Sequence, residues 1–297
     1  MSQIIWNGLF VGSFYALVAL GYSMVYGIMK LLNFAHGDLY MLGAFIGFGL
    51  LVSFSGFTAT LSLVALLVVL LLSMVGTGLA GVVIERVAYR PLRGAPRLSL
   101  LITAVGASFA LEYGMRIVAG PNPEVYPVRL GGSSVHVLGA QIGIAQLVLI
   151  VIAIGLMVGL NAMVMRSRQG RAMRAIALDP VAARLMGVDV NRMIAIAFFI
   201  GSALAGAAGV MAGAYYGSIT FLMGFIIGLK AFTAAVIGGI GNFKGAMLGG
   251  VVLGLLESFG THYLGGQWRD VFAFAFLILF LTVRPTGLLG ERVTERV

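Results

Sequence analysis

The chain has 297 residues, of which 60% are hydrophobic and only 10% are charged, and its mean hydropathy is +1.06. Soluble domains carry about 25% charged residues, so this composition excludes a soluble protein and indicates an integral membrane protein. The sequence has no cysteine, which excludes disulfides and thiolate metal sites, and its three isolated histidines give no metal-ligand spacing. The net charge of +9 is gathered in a few loops, a pattern typical of membrane topology rather than of nucleic-acid binding.

Apolar stretches separated by polar, glycine-bearing or proline-bearing breaks predict an all-α polytopic membrane protein with about eight or nine transmembrane helices. The expected spans are residues 4–28, 39–54, 61–84, 98–118, 142–163, 193–214, 221–237, 246–259 and 271–283. Several glycine-rich spans are short, so we expect some to be interrupted or re-entrant. The first apolar run follows no basic region, which favours a retained span over a cleaved signal peptide. We interpret residues 1–297 as one transmembrane domain.

Basic residues cluster at alternate breaks between the spans, as expected when those breaks face the cytoplasm. Nine spans with the N-terminus outside and the C-terminus cytoplasmic place every basic cluster inside. These clusters are Lys30, the loops Arg86–Arg97 and Arg166–Arg192, Lys244, and the tail with Arg292 and Arg296. The two basic residues left outside, Arg129 and Arg269, each lie close to an acid in the sequence, Glu124 and Asp270.

The longest polar break is residues 165–193, with the sequence MRSRQGRAMRAIALDPVAARLMGVDVNRM. Asp179 can cap a helix, Pro180 suits the first helical position, residues 181–186 can form a short helix, and Gly187 can end it. Small and apolar side chains fall on one face of this helix: Leu178, Val181, Ala182, Leu185 and Met186. We interpret it as an amphipathic helix on the inner membrane face, presented to a soluble partner. The alternative is a solvated loop that only fixes topology.

Charged groups at membrane depth are costly and usually functional, and four residues qualify: Asp38, Glu112, Lys230 and Glu257. Asp38 either caps the second span or lies on a translocation pathway. Glu112 precedes Arg116 by four residues, which favours a structural ion pair. Lys230 either pairs across helices or faces water, and Glu257 either lines a cavity or packs.

Enzyme motifs are missing from the sequence. It has no GxxxxGK[ST], HExxH or GxSxG pattern, so we expect neither catalysis nor ATP hydrolysis in this chain. The energy for transport would then come from an ion gradient or from a partner subunit. A hint of internal repetition links NFAHGDLYMLGAF from Asn33 with NFKGAMLGGVVLG from Asn242, and repeats of this kind are frequent in transporters, although chance explains the match about as well.

Three sequence blocks carry a family resemblance. They are GLFVGSFYALVALGYSMVYGIMKLLNFAHGDLYMLGAF from Gly8, RSRQGRAMRAIALDPVAARLMGVDVNRM from Arg166 and AFTAAVIGGIGNFKGAMLGGVVLGLLE from Ala231. In this order they resemble the LivH-type permeases of bacterial branched-chain amino-acid ABC importers. The first block, with LNFAHGD, is specific to that family, whereas the glycine-rich third block alone is less so.

The resemblance implies a permease in the bacterial inner membrane. It implies a second, homologous permease subunit, two ATPase subunits that hold ATP and Mg, and a periplasmic substrate-binding protein, with no cofactor in this chain. The loop helix would couple the permease to an ATPase through Asp179, Pro180, Ala182, Ala183, Arg184 and Gly187. The candidate translocation pathway would include Asn33, His36, Gly37, Asp38 and Glu257.

Two other functions compete with an ATP-driven permease. One is a gradient-driven secondary transporter or channel that uses Asp38, Glu112 or Glu257 as ion-coupling carboxylates. The other is a membrane-embedded enzyme, which the missing motifs disfavour. The substrate stays open at this stage between branched-chain amino acids, other amino acids, urea and amides, as do the span count and the pore-lining face.

Overall fold

The computed structural model describes residues 1–54, 63–127, 134–137, 139–284 and 286–290. Long apolar runs form helices because a membrane-embedded backbone must satisfy its hydrogen bonds within its own segment. The helices of the first half are α1 (Ser2–Met29), α2 (His36–Phe54), α3 (Leu63–Ile84), α4 (Arg97–Ala119) and α5 (Ile144–Arg166). Those of the second half are α6 (Arg168–Leu178), α7 (Pro180–Leu185), α8 (Val190–Tyr216), α9 (Met223–Gly238), α10 (Phe243–Leu264) and α11 (Arg269–Val283).

All nine predicted spans correspond to helices, although the first residues of the third span lie outside the described part of the chain. Among the described residues, eight helices are long and apolar enough to cross a membrane, and α9 is shorter. The 16 residues of α9 extend about 24 Å, less than the roughly 30 Å of a hydrocarbon core. This agrees with the expectation that some spans are short.

Small strands lie between the helices at one end of the bundle. Strand β1 (Glu124–Val125) pairs antiparallel with β4 (Ser218–Ile219). Strands β2 (Ser134–Val137) and β3 (Ala140–Gly143) form an antiparallel hairpin. The sequence did not predict these strands. They tie the α4–α5 connection to the α8–α9 connection, so both connections lie at the same end. Arg129, expected opposite Glu124, lies outside the described residues.

Helix α1 is the centre of the bundle, and its side chains are almost continuously buried from Gly12 to Val25. It packs chiefly against α10 and α8. Glycines allow the close approach: a Cβ on Gly12 would lie 2.9 Å from the Val251 Cα of α10, and one on Gly201 of α8 would lie 3.2 Å from the Gly21 carbonyl oxygen of α1. Small residues replace the hydrophobic drive that helices lack inside a membrane, because they let backbones touch.

Helices α3, α4, α5 and α11 form the periphery and expose apolar side chains, which is the surface that lipid would cover. The basic connections meet at the end opposite the strands. The Tyr89 hydroxyl donates to Asn33 Oδ1 at 2.7 Å, and Arg93 donates to Asn191 Oδ1. Gly241 approaches α1 at Tyr26. The structure therefore gathers the described basic segments at one end, whereas the tail with Arg292 and Arg296 lies outside the described residues.

Candidate functional site

The polar break 165–193 contains two helices where the sequence predicted one. Helix α6 was missed because its arginines suggested a solvated loop, yet it buries Gly170, Met173 and Ile176 on one side. Its N-terminus is capped by the Ser167 hydroxyl, which accepts the Gly170 N–H at 2.9 Å. The spacing of Met173 and Ile176 is the helical signal that could have revealed it.

The second helix, α7, follows the prediction closely. Asp179 caps it, and Asp179 Oδ1 accepts the backbone N–H groups of Val181 at 2.8 Å and Ala182 at 3.0 Å. Pro180 is its first residue. Gly187 has φ +82°, a left-handed conformation that glycine adopts without steric cost, and the chain turns there into α8. The capped helix is thus a defined local structure.

The side chains of α7 divide into an anchor and an exposed surface. Ala183 is buried in an apolar cluster with Ile176 of α6, Val190 and Ile194 of α8, and Leu100 of α4. On the other side, Ala182 and Arg184 are exposed. Together with them, four apolar side chains that are 65–89% exposed form what we call the docking face: Leu178, Val181, Leu185 and Met186. Exposed apolar side chains in a row are typical of a surface that a partner covers.

A second candidate site lies at the start of α2, where four residues proposed for the pathway come together. Asn33 accepts from Tyr89, and the His36 ring packs edge-on against Tyr22 of α1 with centroids 4.7 Å apart. Both side chains are buried. A Cβ on Gly37 would lie 2.6 Å from the Gly228 Cα of α9, so α2 and α9 touch backbone to backbone.

Asp38 is fully buried in the first turn of α2, where the helix dipole favours a carboxylate. Its interpretation as the helix cap is wrong, because α2 begins at His36 and the carboxylate points to α4. Ser108 of α4 donates its hydroxyl hydrogen to Asp38 Oδ2, whereas Asp38 Oδ1 has no hydrogen-bond partner among the described residues. Asp38 therefore holds one free acceptor inside the protein.

The expected ion pair between Glu112 and Arg116 is absent from the described structure. Glu112 is buried one turn beyond Ser108, and its Oε1 finds no partner among the described residues. The Arg116 guanidinium lies over the Phe221 ring instead, 5.6 Å from the ring centroid. A spacing of four residues permits an ion pair, but contacts across helices decide where each side chain points.

A third site lies at the strand end of the bundle, between α1, α9, α10 and α11. The Lys230 ammonium is 3.1 Å from Glu257 Oε2 and 2.6 Å from Asp270 Oδ1. The Arg269 guanidinium pairs with Glu257 Oε1, and the Tyr15 hydroxyl donates to Glu257 at 2.8 Å. Lys230 therefore pairs with acids on other helices, which was one of the two interpretations of this residue, and does not face water alone. We call these five residues the ion-pair cluster.

The sequence placed Arg269 beside Asp270 and gave Glu257 no partner. In the structure Arg269 turns inward to Glu257 and also donates to the Tyr216 hydroxyl at 2.9 Å, while Asp270 pairs with Lys230. No local sequence pattern predicts these pairs, since the two partners of each pair lie on different helices.

At the basic end, the Glu85 carboxylate is fully buried and pairs with Arg90 at 3.0 Å and with Arg93. Burial lowers the pKa of the Arg93 guanidinium, and the neighbouring Glu85 carboxylate opposes that shift. Among the described residues, no three His, Asp or Glu side chains are arranged to hold a metal ion.

The fold and these sites define a helical membrane transport subunit, with a capped helix that exposes apolar side chains at the basic end and with buried ion pairs at the other end. The family model described as the branched-chain amino acid transport system / permease component matches residues 4–281. The chain therefore belongs to this family of transport permeases.

Two similar permease proteins match nearly the whole chain. The high-affinity branched-chain amino acid transport system permease protein BraD of Pseudomonas aeruginosa is 44% identical, over 98% of this chain and 96% of its own length. The LivH permease protein of the corresponding Escherichia coli system is 40% identical, over 99% of this chain and 97% of its own length.

One solved structure is similar in fold. A metal-chelate type ABC transporter in an inward-facing conformation matches with a TM-score of 0.50 and 16% identity, over 95% of this chain and 85% of that chain. This similarity concerns the fold alone.

Proposed function

We propose that this chain carries branched-chain amino acids across the bacterial inner membrane as one permease subunit of an ATP-driven importer. The supporting observation is the 40–44% identity to relatives that bear this function in their names, over almost their full length. In the assembly we propose, a second, homologous permease completes the pathway, two ATPase subunits bind ATP and Mg, and a periplasmic protein delivers the substrate. The N-terminus would face the periplasm and the basic end the cytoplasm, as the excess of arginine there favours.

The proposed contact with the ATPase is based on the docking face of α7. Its apolar side chains are exposed although the helix is well ordered by its Asp179 cap. A cleft on an ATPase that accepts Leu185 and Met186 would bury this surface, with Arg184 and Gly187 at its edge. The residues proposed to couple the permease to the ATPase would then include the helix, its buried anchor and its end. They are Asp179, Pro180, Ala182, Ala183, Arg184 and Gly187.

Movement of α7 can reach the membrane helices through its anchor. Ala183 and Ile176 share an apolar cluster with residues of α1, α3, α4 and α8, among them Val25 and Phe198. Because packed interiors transmit displacement, a pull on α7 by the ATPases would move these helix ends together. We infer that this cluster converts ATPase closure into alternation between outward-open and inward-open forms.

The pathway would open along the junction of α2, α4 and α9, where Asn33, His36, Gly37 and Asp38 meet. An amino acid carries an ammonium group, and the free Oδ1 of Asp38 is an acceptor of opposite charge. Glycine contacts between α2 and α9 involve few interlocked side chains, which suits surfaces that separate and close again. Glu257, in the ion-pair cluster, would lie at the periplasmic entrance of the same route.

Membership in a permease family does not favour the gradient-driven alternative. The two functions differ in their energy source, and uptake of labelled leucine by proteoliposomes with the co-purifying subunits and binding protein separates them. We expect uptake to require ATP and to persist when an ionophore collapses the ion gradient. Uptake that follows the gradient without ATP would contradict the proposal.

The docking face has a sharper test in paired variants. The variant Leu185→Gln/Met186→Gln changes two exposed apolar side chains, and we expect the chain to reach the membrane but to lose co-purifying ATPase and uptake. The control Arg171→Gln changes an exposed residue of α6 outside the docking face and should retain both. Unchanged ATPase recovery and uptake in the double variant would remove α7 as the coupling helix.

A further inference from the structure

A cavity of about 560 Å³ opens between the end of α3 and the start of α8, at the basic end of the bundle. Its wall toward the membrane interior is apolar and includes Val82 of α3 with Ile196 and Phe199 of α8. Its other end is lined by three arginines: Arg86, Arg90 and Arg192. The cavity is therefore amphipathic, and neither the docking face nor the ion-pair cluster includes any of these residues.

The positive charge of the cavity is largely uncompensated. Arg86 and Arg192 are exposed, and neither forms an ion pair with any described residue. Arg90 pairs with Glu85, which is buried behind the cavity. The single acid in the lining is Asp189, and its Oδ1 already accepts the backbone N–H of Arg192 at 3.0 Å. An anion that enters would meet two arginines that have no ion-pair partner among the described residues.

A π-helical turn, Glu85–Tyr89, continues α3 and explains why the arginines differ. The Arg90 N–H bonds back to the Glu85 carbonyl, five residues earlier, and the Arg90 side chain folds over the Glu85 carboxylate. Arg86, on the same turn, is left facing solvent at the cavity. Single π turns inside α-helices occur frequently at functional sites.

The apolar wall continues onto the surface that faces lipid. Val75, Leu79 and Val83 of α3 follow one another at intervals of four residues and are 49–57% exposed, as expected for a stripe in contact with acyl chains. Arg86 follows Val83 by three residues, on the same side of the helix. The change from apolar to basic side chains thus occurs where an acyl region would give way to headgroups.

We propose that this cavity binds an acidic phospholipid, with the phosphate diester on Arg86 and Arg192 and an acyl chain along Val82, Ile196 and Phe199. Guanidinium groups bind phosphate oxygens through charge-assisted hydrogen bonds. A free phosphate would use the arginines alone, whereas a lipid also uses the apolar wall, so the shape of the cavity favours the lipid. The proposal does not depend on the transported substrate.

Native mass spectrometry of the delipidated, full-length chain tests this directly, by titration with phosphatidylglycerol and with phosphatidylcholine of the same acyl chains. We expect phosphatidylglycerol to be preferred, and the variant Arg86→Gln/Arg192→Gln to weaken its binding roughly 30-fold, since each arginine near an acidic lipid contributes about a fivefold factor. The control Arg166→Gln/Arg168→Gln removes two exposed arginines of the same charge outside the cavity and should leave binding within about twofold.

The variant Ala195→Phe keeps every charge and fills the apolar part of the cavity. It therefore tests the proposal even if Arg86→Gln/Arg192→Gln fails to fold. We expect Ala195→Phe to weaken phosphatidylglycerol binding and to reduce the preference for phosphatidylglycerol over phosphatidylcholine. Glycerol 3-phosphate is the headgroup probe and should not displace the lipid at equal concentration. Displacement at equal concentration, equal binding of both lipids, or equal losses in the arginine variant and its control would each overturn the proposal.

Discussion

The Lys230 ammonium on α9 lies 3.1 Å from the Glu257 carboxylate on α10, and both side chains are 2–3% exposed. The two charges do not rely equally on this ion pair for their compensation. Glu257 also receives Arg269 and Tyr15. Within the described part of the chain, Lys230 has one other acid, Asp270, which is half exposed. A buried charge that loses its partner is costly, so the consequence of a substitution depends on what remains.

We therefore predict that Glu257→Gln is more destabilising than Lys230→Met. Loss of the Glu257 charge leaves Lys230 and Arg269 without their shared acid, at a cost of roughly 3 kcal/mol. Loss of Lys230 leaves Glu257 still paired with Arg269, so the cost is smaller. Thermal unfolding of the detergent-purified variants, followed by size-exclusion chromatography, gives the order. Asp270→Asn is the control, because an exposed partner contributes about 1 kcal/mol or less. The reverse order would show that Lys230 holds the cluster.

The close contact of α2 with α9 gives a second prediction. In Gly37→Ala the new methyl group would lie 2.6 Å from the Gly228 Cα, and backbone cannot move aside as a side chain can. We expect a destabilisation of about 1–3 kcal/mol, typical of overpacking, together with loss of uptake. Gly49→Ala is a matched control on the same helix, because nothing lies within 4 Å of its added methyl group. A stable, active Gly37→Ala protein would mean that α2 and α9 do not need this contact.

Sequence reasoning succeeded where the signals are local. The apolar runs predicted helices that the described residues form, eight of them long enough to cross a membrane and α9 shorter. The Asp179–Pro180 pair together with Gly187 predicted α7 and its ends, since caps and breakers act on the residues beside them. Helix α6 was missed because four of its eleven residues are polar, including Arg168, Arg171 and Arg174, and only two large apolar side chains mark its buried side.

The ion-pair cluster could not be predicted for a different reason. Glu257 and Tyr15 are 242 residues apart in sequence, and only the packing of α1 against α10 brings them together. The Glu112–Arg116 prediction was wrong for a similar reason, because the Arg116 guanidinium lies over the ring of Phe221, which is far from it in the sequence. Long-range partners depend on which helices become neighbours, and one sequence without a fold does not specify that.

Asp38 and Ser108 give a third prediction, in which stability and transport separate. Ser108→Ala leaves both oxygens of Asp38 without a described partner and should cost about 1–3 kcal/mol of stability. Asp38→Asn removes the buried charge, so we expect stability to be kept. Uptake at limiting substrate should fall on the order of 100-fold if the carboxylate receives the ammonium group, since a lost buried charge partner costs roughly 3 kcal/mol.

The control for Asp38→Asn is Glu124→Gln, which neutralises an acid in strand β1, at the opposite end of the bundle from Asp38. It should transport at the normal rate. Normal uptake by Asp38→Asn would remove Asp38 from the pathway and leave it a structural acceptor for Ser108. Equal loss of uptake in both variants would point to a general effect of negative charge on the protein.

The Asp179 cap gives a fourth prediction, which separates the shape of α7 from its surface. In Asp179→Ala the N–H groups of Val181 and Ala182 lose their acceptor, at a cost of about 1 kcal/mol to the helix. A six-residue helix cannot absorb that loss, so hydrogen exchange of these two amides should accelerate while the melting temperature of the whole protein hardly changes. Co-purification of the ATPase should fall, and Asp179→Asn, which can still cap, should restore it. Faster exchange without loss of the ATPase would mean that the partner folds α7 on binding, and the cap would then be dispensable for docking.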